Sequence, residues 1–320
     1  AHEAALQECI ADRDGGLEDQ AAIREQTAMT NNESTKTLPR NTASIKYLEE
    51  LEFHDSQGAC DMTDDAVNHL RNLILDEPLL ECPMDEAFLL KFLRARKFDV
   101  QCAFKNVKKY FKVRRDNPDM FDALNLHGIP FDEACRKHRL VTVSRKTDPK
   151  GRGVIMFKTG SWRADICSLN DFFRAAILHG EHLLLREEFQ IKGIVAVLDL
   201  KHLSAYHLPH FTPSVIRTFL SLVQDVIPVR VKGAYIINNP ALFDVLFAIA
   251  KPFMKSKLVK KVRLFGYNLE ELHTLVPDDV IPEEHGGTLE SYDYDVIEEE
   301  LMNEDKFFQE IDSHGYRAAK

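Results

Sequence analysis

Three histidines, His202, His207 and His210, crowd the residues that follow Asp199. Imidazole beside carboxylate is the pairing that acid–base catalysis and metal ligation both use. Their spacing fits no helical metal motif, however, and surface loops collect histidines without catalytic duty. His179 and His182 form a second group with Glu181 on a mostly apolar stretch, and read as helix histidines with ordinary partners. No GxSxG elbow, HExxH helix or P-loop occurs, and no GxGxxG follows a strand. Gly151 and Gly153 alternate with Lys150 and Arg152, yet that run leads into strand residues instead of opening a helix. The expectation is a protein that is not an enzyme, with no catalytic residues, no metal and no cofactor.

A different chemistry lies in residues 240–263. A nearly uncharged apolar run passes into Lys251, Lys255, Lys257, Lys260, Lys261 and Arg263 with no acid among them. Apolar surface joined to concentrated positive charge suits an anionic lipid surface. A buried helix followed by a solvated basic one would read the same way.

Composition narrows the classes. The chain has 320 residues and a formal charge of -10, so the basic block is a local exception. That balance argues against nucleic acid as a partner, which needs a broad cationic footprint. Asp244 and Lys251 interrupt the best apolar stretch, so none reaches the roughly 18 residues of a membrane span. The first residues lack the cationic start and apolar core of a secretory signal. The six cysteines fall far apart and never as CxxC, which favours free thiols in a reducing, cytoplasmic setting. Twenty Phe against eight Tyr and one Trp would suit the wall of a cavity for a bulky apolar guest, or a Phe-rich core.

Positioning elements follow from periodicity. Residues 1–40 are rich in polar and acidic side chains and read as a mobile leader. Residues 41–125 read as an all-helical domain. Thr63 is a candidate N-cap, with Asp64 and Asp65 in the first turn and Ala66, Val67, Leu70, Leu73 and Ile74 on one face. Helices are predicted over 86–95 and 100–115, the first with Asp85 at its start and basic residues at its end. From about Gly128 the grammar changes. β-favouring runs at 140–143, 154–157, 193–198 and 233–237, with a fifth at 262–265, alternate with helical stretches at 168–188, 213–226 and 240–254. That order predicts α/β with a largely parallel sheet over 126–291, and an acidic helix or tail over 292–320. Phe173, Ala176, Ile177, Gly180, Ile194, Leu198, Phe219, Leu222, Val223 and Ala234 either fill one another as a core or leave an apolar pocket. Phe243, Leu246, Phe247 and Ala250 share one helical face above it.

The strings DEAFLLKFLRARKFDVQCAF, RRDNP, GIVAVLDL, FTPSV, VKGAYIINNPALFDVLFAIAKPFMKSK and PEEHGGTL, in this order, resemble the CRAL-TRIO (Sec14-like) lipid-binding family. The resemblance covers roughly residues 60–290 and falls in the branch of tocopherol- and retinaldehyde-binding carriers. It implies a helical N-terminal domain, then an α/β lipid-binding domain with a mostly parallel sheet, a cavity and a gate helix. By that resemblance the cavity would be lined by Phe173, Ala176, Gly180, Ile194, Leu198, Phe219, Leu222, Val223, Ile227 and Val229. The gate would carry Phe243, Leu246, Phe247, Ala250 and Met254, and a phosphoinositide-binding cluster would be Arg96, Arg230, Lys232, Lys257 and Lys261, with Arg94 nearby. The partners implied are a hydrophobic small molecule (tocopherol, a retinoid, a carotenoid or a related isoprenoid) and phosphoinositide-containing membranes, met reversibly by a cytoplasmic carrier. A lipid-sensing regulatory module is the alternative. Where tocopherol-binding members have two serines near the guest's polar head, this chain has Ala176 and Gly180. Two hydroxyls are lost and volume is gained.

Overall fold

The computed structural model describes residues 56–290 and 294–317. The leader expected over 1–40 and the first residues of the helical domain lie outside the described residues.

Helix α1 spans Ser56–Leu75, so Thr63 lies inside it and does not cap it. Gly58 weakens the first turns without stopping them, and Asp64 and Asp65 sit on the exposed side, where a helix interior tolerates acids. Val67, Leu70 and Ile74 are buried, as the periodicity predicts. Helix α2 covers Glu86–Ala95, with Asp85 Oδ1 accepting from the Phe88 amide at 2.8 Å. Helix α3 covers Val100–Asp116 and is capped in the same way by Asp99. Each cap satisfies an amide that has no partner in the first helical turn. Phe88, Phe92, Tyr110 and Phe111 interlock between α2 and α3, with Phe92 and Tyr110 edge-on at 5.4 Å.

The central sheet has five strands in sequence order: β2 (Val141–Val143), β3 (Gly153–Phe157), β4 (Ile194–Asp199), β5 (Val231–Ile237) and β6 (Val262–Gly266). Only the β2–β3 pair is antiparallel; the others run parallel, through helical crossovers. One face is closed: Val154, Met156, Val195, Val197, Tyr235 and Ile237 pack with Leu272, Val276, Val280 and Ile281. The opposite face meets three helices, α4 (Leu169–Leu184), α6 (Pro213–Ser221) and α7 (Leu242–Ala250). Two of the long helical stretches are broken. The stretch over 168–188 stops at Leu184 and resumes as α5 (Glu187–Lys192), while 213–226 turns π-helical over Leu222–Val226.

A buried polar knot ties the helical part to the α/β part. Glu181 on α4 accepts from Tyr110 Oη at 2.8 Å and lies 3.9 Å from Lys91 Nζ and 3.4 Å from Arg114. Charges this deep persist only when paired. Asn106 on α3 donates to the Asp225 and Val226 carbonyls. The acidic C-terminal stretch is not a solvated tail: it folds as α8 (Tyr294–Asn303) and α9 (Asp305–Ser313), burying Ile297, Leu301, Phe308 and Ile311. Its acids find bases on the core, Glu304 at His182 and Asp295 with Glu298 at Arg136. Beyond them, β7 (Gly315–Tyr316) pairs with β1 (Leu80–Glu81) beside α3.

Candidate functional site

Helix α4 starts at Ser168, whose hydroxyl accepts from the Asp171 amide at 3.0 Å, and most of its length is buried. Gly180 interrupts the buried run from Phe172 to Leu184. It sits inside the helix, yet a Cβ built there meets nothing within 4 Å. Phe173 and Ala176, on the same side of α4, are buried, and the Phe173 ring stacks on Phe219 of α6 at 5.0 Å.

The sheet face below behaves in the same way. Val195 and Val197 are fully buried, whereas their neighbours Ala196 and Leu198, on the face toward the helices, are only half-buried. β4 lies between two other strands, so this partial exposure is not an edge effect. α6 carries Val215, Ile216, Phe219 and Leu220, and none of its residues is fully buried. The apolar α7 buries only Phe243, leaving Leu246, Phe247, Ile249 and Ala250 half-buried. A tightly packed core leaves few such gaps.

The apolar residues named from the sequence divide between two clusters. Phe173, Ala176, Ile194, Leu222 and Ile227 are buried in one, with Phe219 and Val229 packed against it. Phe243 belongs to the other, with Leu198, Leu246 and Phe247 against it. Val223, Ala250 and Met254 are half-buried. Ile177, set among the pocket candidates by its position on α4, is buried in the first cluster.

One side chain that the sequence does not advertise holds the far end of α7. Gln224, in the π-helical turn after α6, donates to the Phe253 carbonyl at 3.1 Å and accepts from the Lys255 amide at 2.7 Å. Beside it, Asp225 pairs with Lys255 and with Lys109 at 3.3 Å. A helical residue with free amide hydrogens and a carbonyl is an unremarkable surface glutamine until the fold brings a second segment against it.

The basic residues gather at the end of the sheet where the parallel strands begin. Gly193 makes this possible: its φ is +85°, and a Cβ there would stand 2.4 Å from the Arg230 carbonyl oxygen and 2.7 Å from Lys232 Cγ. Arg230 donates to the Ile191 carbonyl at 2.7 Å, and Lys261 donates to the Val231 carbonyl. Burial pushes the Lys232 ammonium down to about 8, with Arg230, Lys261, Lys97 and Arg152 pushing the same way. Burial, then Lys257 and Arg230, lower Lys261 as well. Like charges crowded to this degree favour an anion among them. Arg230 acts on both Lys232 and Lys261, and Lys257 acts on Lys261. Burial lowers the Arg96 pKa and Asp225 opposes that shift. Arg94 is committed elsewhere, bridging α2 to α5 through Glu187 and through Gln190 at 2.6 Å.

Of the three histidines that follow Asp199, two are held by neighbours. His207 is buried, accepts from the Ser204 amide at 3.1 Å and lies 3.1 Å from the Trp162 carbonyl oxygen. His210 packs on the Trp162 ring, and His202 is exposed, with a left-handed backbone. His179 is buried against Phe131, which holds its pKa down at about 4. Asp199 accepts from the Lys201 amide and from Asn238 Nδ2, both at 2.9 Å. Among the described residues no group of His, Cys, Asp and Glu is arranged to hold a metal, and no helix is long and apolar enough to cross a membrane.

Comparison with known proteins agrees with this geometry. Residues 137–287 match the model of the CRAL/TRIO domain, and residues 49–109 match that of the CRAL/TRIO N-terminal domain. The chain is 35% identical over 247 residues to "Alpha-tocopherol transfer protein-like" of Homo sapiens, covering 77% of this chain and 71% of that protein. It is 34% identical over 244 residues to Clavesin-1 of Xenopus laevis, covering 75% and 72%. A crystal structure of Sfh5 superposes with a TM-score of 0.48 at 11% identity, over 78% of this chain and 99% of that one. A helical N-terminal region, a mostly parallel sheet and these matches along the chain have one reading: the protein belongs to the CRAL-TRIO (Sec14-like) lipid-binding family.

Proposed function

We propose that this chain takes up one small hydrophobic molecule and carries it between membranes, docking through phosphoinositide headgroups. The observation that carries the reading is the open space beside Gly180, in a wall that is otherwise apolar. Half-buried faces on β4, α6 and α7 support a cavity between the sheet and these helices, closed by α7 as a gate. Burial would supply affinity at about 25 cal/mol per Å² of apolar surface. The guest would be a tocopherol, a retinoid, a carotenoid or a related isoprenoid, the first being part of the name of a similar protein. Ala176 and Gly180 bring no hydroxyl to that wall, which favours a bulkier or less polar guest. No bond changes in such transport, so the histidines need no catalytic role.

Exchange requires α7 to move, and its apolar face would be stabilised at the bilayer interface while open. Gln224 and Asp225 hold the segment just beyond α7, so they set how easily it swings. Transfer of a fluorescent retinoid or tocopherol analogue from donor to acceptor vesicles tests both ideas. The expected rate rises in proportion to protein concentration, and Gln224→Ala raises it about threefold to tenfold, as loss of about 1 kcal/mol of hydrogen bonding implies. Binding with no transfer would make the chain a lipid sensor instead of a carrier. No uptake of any apolar probe would contradict the cavity itself.

A further inference from the structure

Helix α4 turns two different faces to the rest of the molecule. At about 3.6 residues per turn, Phe173, Ala176 and Gly180 fall within about 60° of one another, and His182 lies about 200° from Gly180, on the opposite face. His182 is only 7% exposed, and what meets it is the C-terminal pair α8–α9. Its Nδ1 stands 2.8 Å from Glu304 Oε2, and its Nε2 stands 3.5 Å from Glu300 Oε2. These two acids are one helical turn apart and would repel each other without a base between them. Glu181 reaches the same pair indirectly: its partner Lys91 sits 4.5 Å from the centre of the Phe307 ring of α9.

The two halves of α4 are held in different ways. Arg174 ties the first half to the carbonyls of Asp119, Ala123 and Gly128, at 3.1, 3.0 and 2.9 Å. The second half, where Gly180 faces open space, pairs through His182 with Glu304, 122 residues further along the chain. The C-terminal pair has its own apolar hold on the core, through Ile297, Leu301, Phe308 and Ile311, and its own ionic hold on Arg136. It can therefore back α4 from behind without depending on His182 for its fold.

We propose that His182 is a positioning residue: through Glu300 and Glu304 it sets where the Gly180 half of α4 stands, so that a guest beside Gly180 and the seating of α8–α9 favour one another. The inference rests on the proposed uptake of an apolar guest. A packed helix shifts as a unit, so a guest that presses on the Gly180 face bears on His182 behind it. Coupling of this kind is reciprocal, and a loaded chain holds α8–α9 more tightly than an empty one.

Hydrogen exchange of the full chain, with and without a fluorescent tocopherol analogue, tests it. In wild type the analogue is expected to slow exchange of the α8–α9 amides about fivefold or more. His182→Ala is expected to cut that slowing to less than about twofold, and Glu300→Gln with Glu304→Gln to do the same from the other side. His182→Asn, whose amide nitrogen can stand in for Nδ1, should restore most of it. Glu300 and Glu304 are half-buried and can turn to water, so none of these variants strands a buried charge. The paired glutamines keep the shape of the acids, which leaves a folded protein to measure if His182→Ala does not fold. A purely structural role would speed exchange in the variants by one factor, with or without the analogue. An analogue that is taken up yet leaves α8–α9 exchange unchanged in wild type would overturn the proposal and leave the cavity standing. Equal slowing in wild type and both variants would overturn it in the same way. Failure to take up the analogue at all would remove the cavity and the proposal together.

Discussion

Gly180→Leu should abolish loading of the apolar guest while making the protein more stable. Glycine inside a helix is about 1 kcal/mol less favourable than alanine, and a Cβ at this position meets no neighbour. Gly180→Ala should therefore raise the melting temperature by about 2–4 °C. Leucine keeps most of that helical advantage, and its branched end extends into the space the guest would occupy. Loading measured by fluorescence quenching is expected to fall more than tenfold, which is more than about 1.4 kcal/mol. The two effects have opposite signs, so general damage to the fold cannot imitate them. A Gly180→Leu protein that loads as well as wild type would mean that the gap beside α4 is not part of any ligand site.

Removing Lys257 and Lys261 together should weaken recruitment to phosphoinositide vesicles about tenfold to thirtyfold and leave loading in solution intact. A lysine near an anionic membrane surface contributes about 1 kcal/mol. Lys261 spends part of its capacity on the Val231 carbonyl, which sets the lower end of the range. Vesicle flotation at increasing salt checks the origin of the effect: wild-type recruitment should fall steadily, and the double variant should show a shallower slope.

pH gives an independent sign. The Lys232 ammonium loses its proton near 8, below the ordinary lysine value of 10.5. A bound anion favours the charged form, so affinity should be flat below about 8 and fall as the pH rises beyond it. Rising affinity over that range would contradict the role given to Lys232.

Much of this fold is legible in the sequence where the signal is periodic. Helix α2 begins and ends at the residues the pattern indicates, because Asp85 caps it and Arg94 to Lys97 close it. The five strand runs lie within a residue or two of the observed strands. What periodicity misses is what depends on contacts distant in sequence. The β1–β7 pair is two residues long on each side and carries no alternation to read. Breaks after Leu184 and Ser221 leave the apolar pattern continuous while the backbone changes direction. The acid pair beside Thr63 imitates a helix start within α1, which spans Ser56–Leu75. At the candidate site, sequence distinguishes apolar from basic, and the family resemblance assigns the roles. Neither shows that Gly180 faces empty space, that Gln224 clasps the segment after α7, or that His182 meets Glu300 and Glu304.

Central to the proposed function is a cavity that would hold one apolar molecule. The most direct measurement is organic extraction and mass spectrometry of the protein purified from its native source, with Gly180→Leu expressed and treated in parallel. The expected result is one hydrophobic species near equal molar amount with the wild-type chain, absent from the variant. A wild-type protein that carries no lipid, and acquires none after incubation with liposomes, would contradict it.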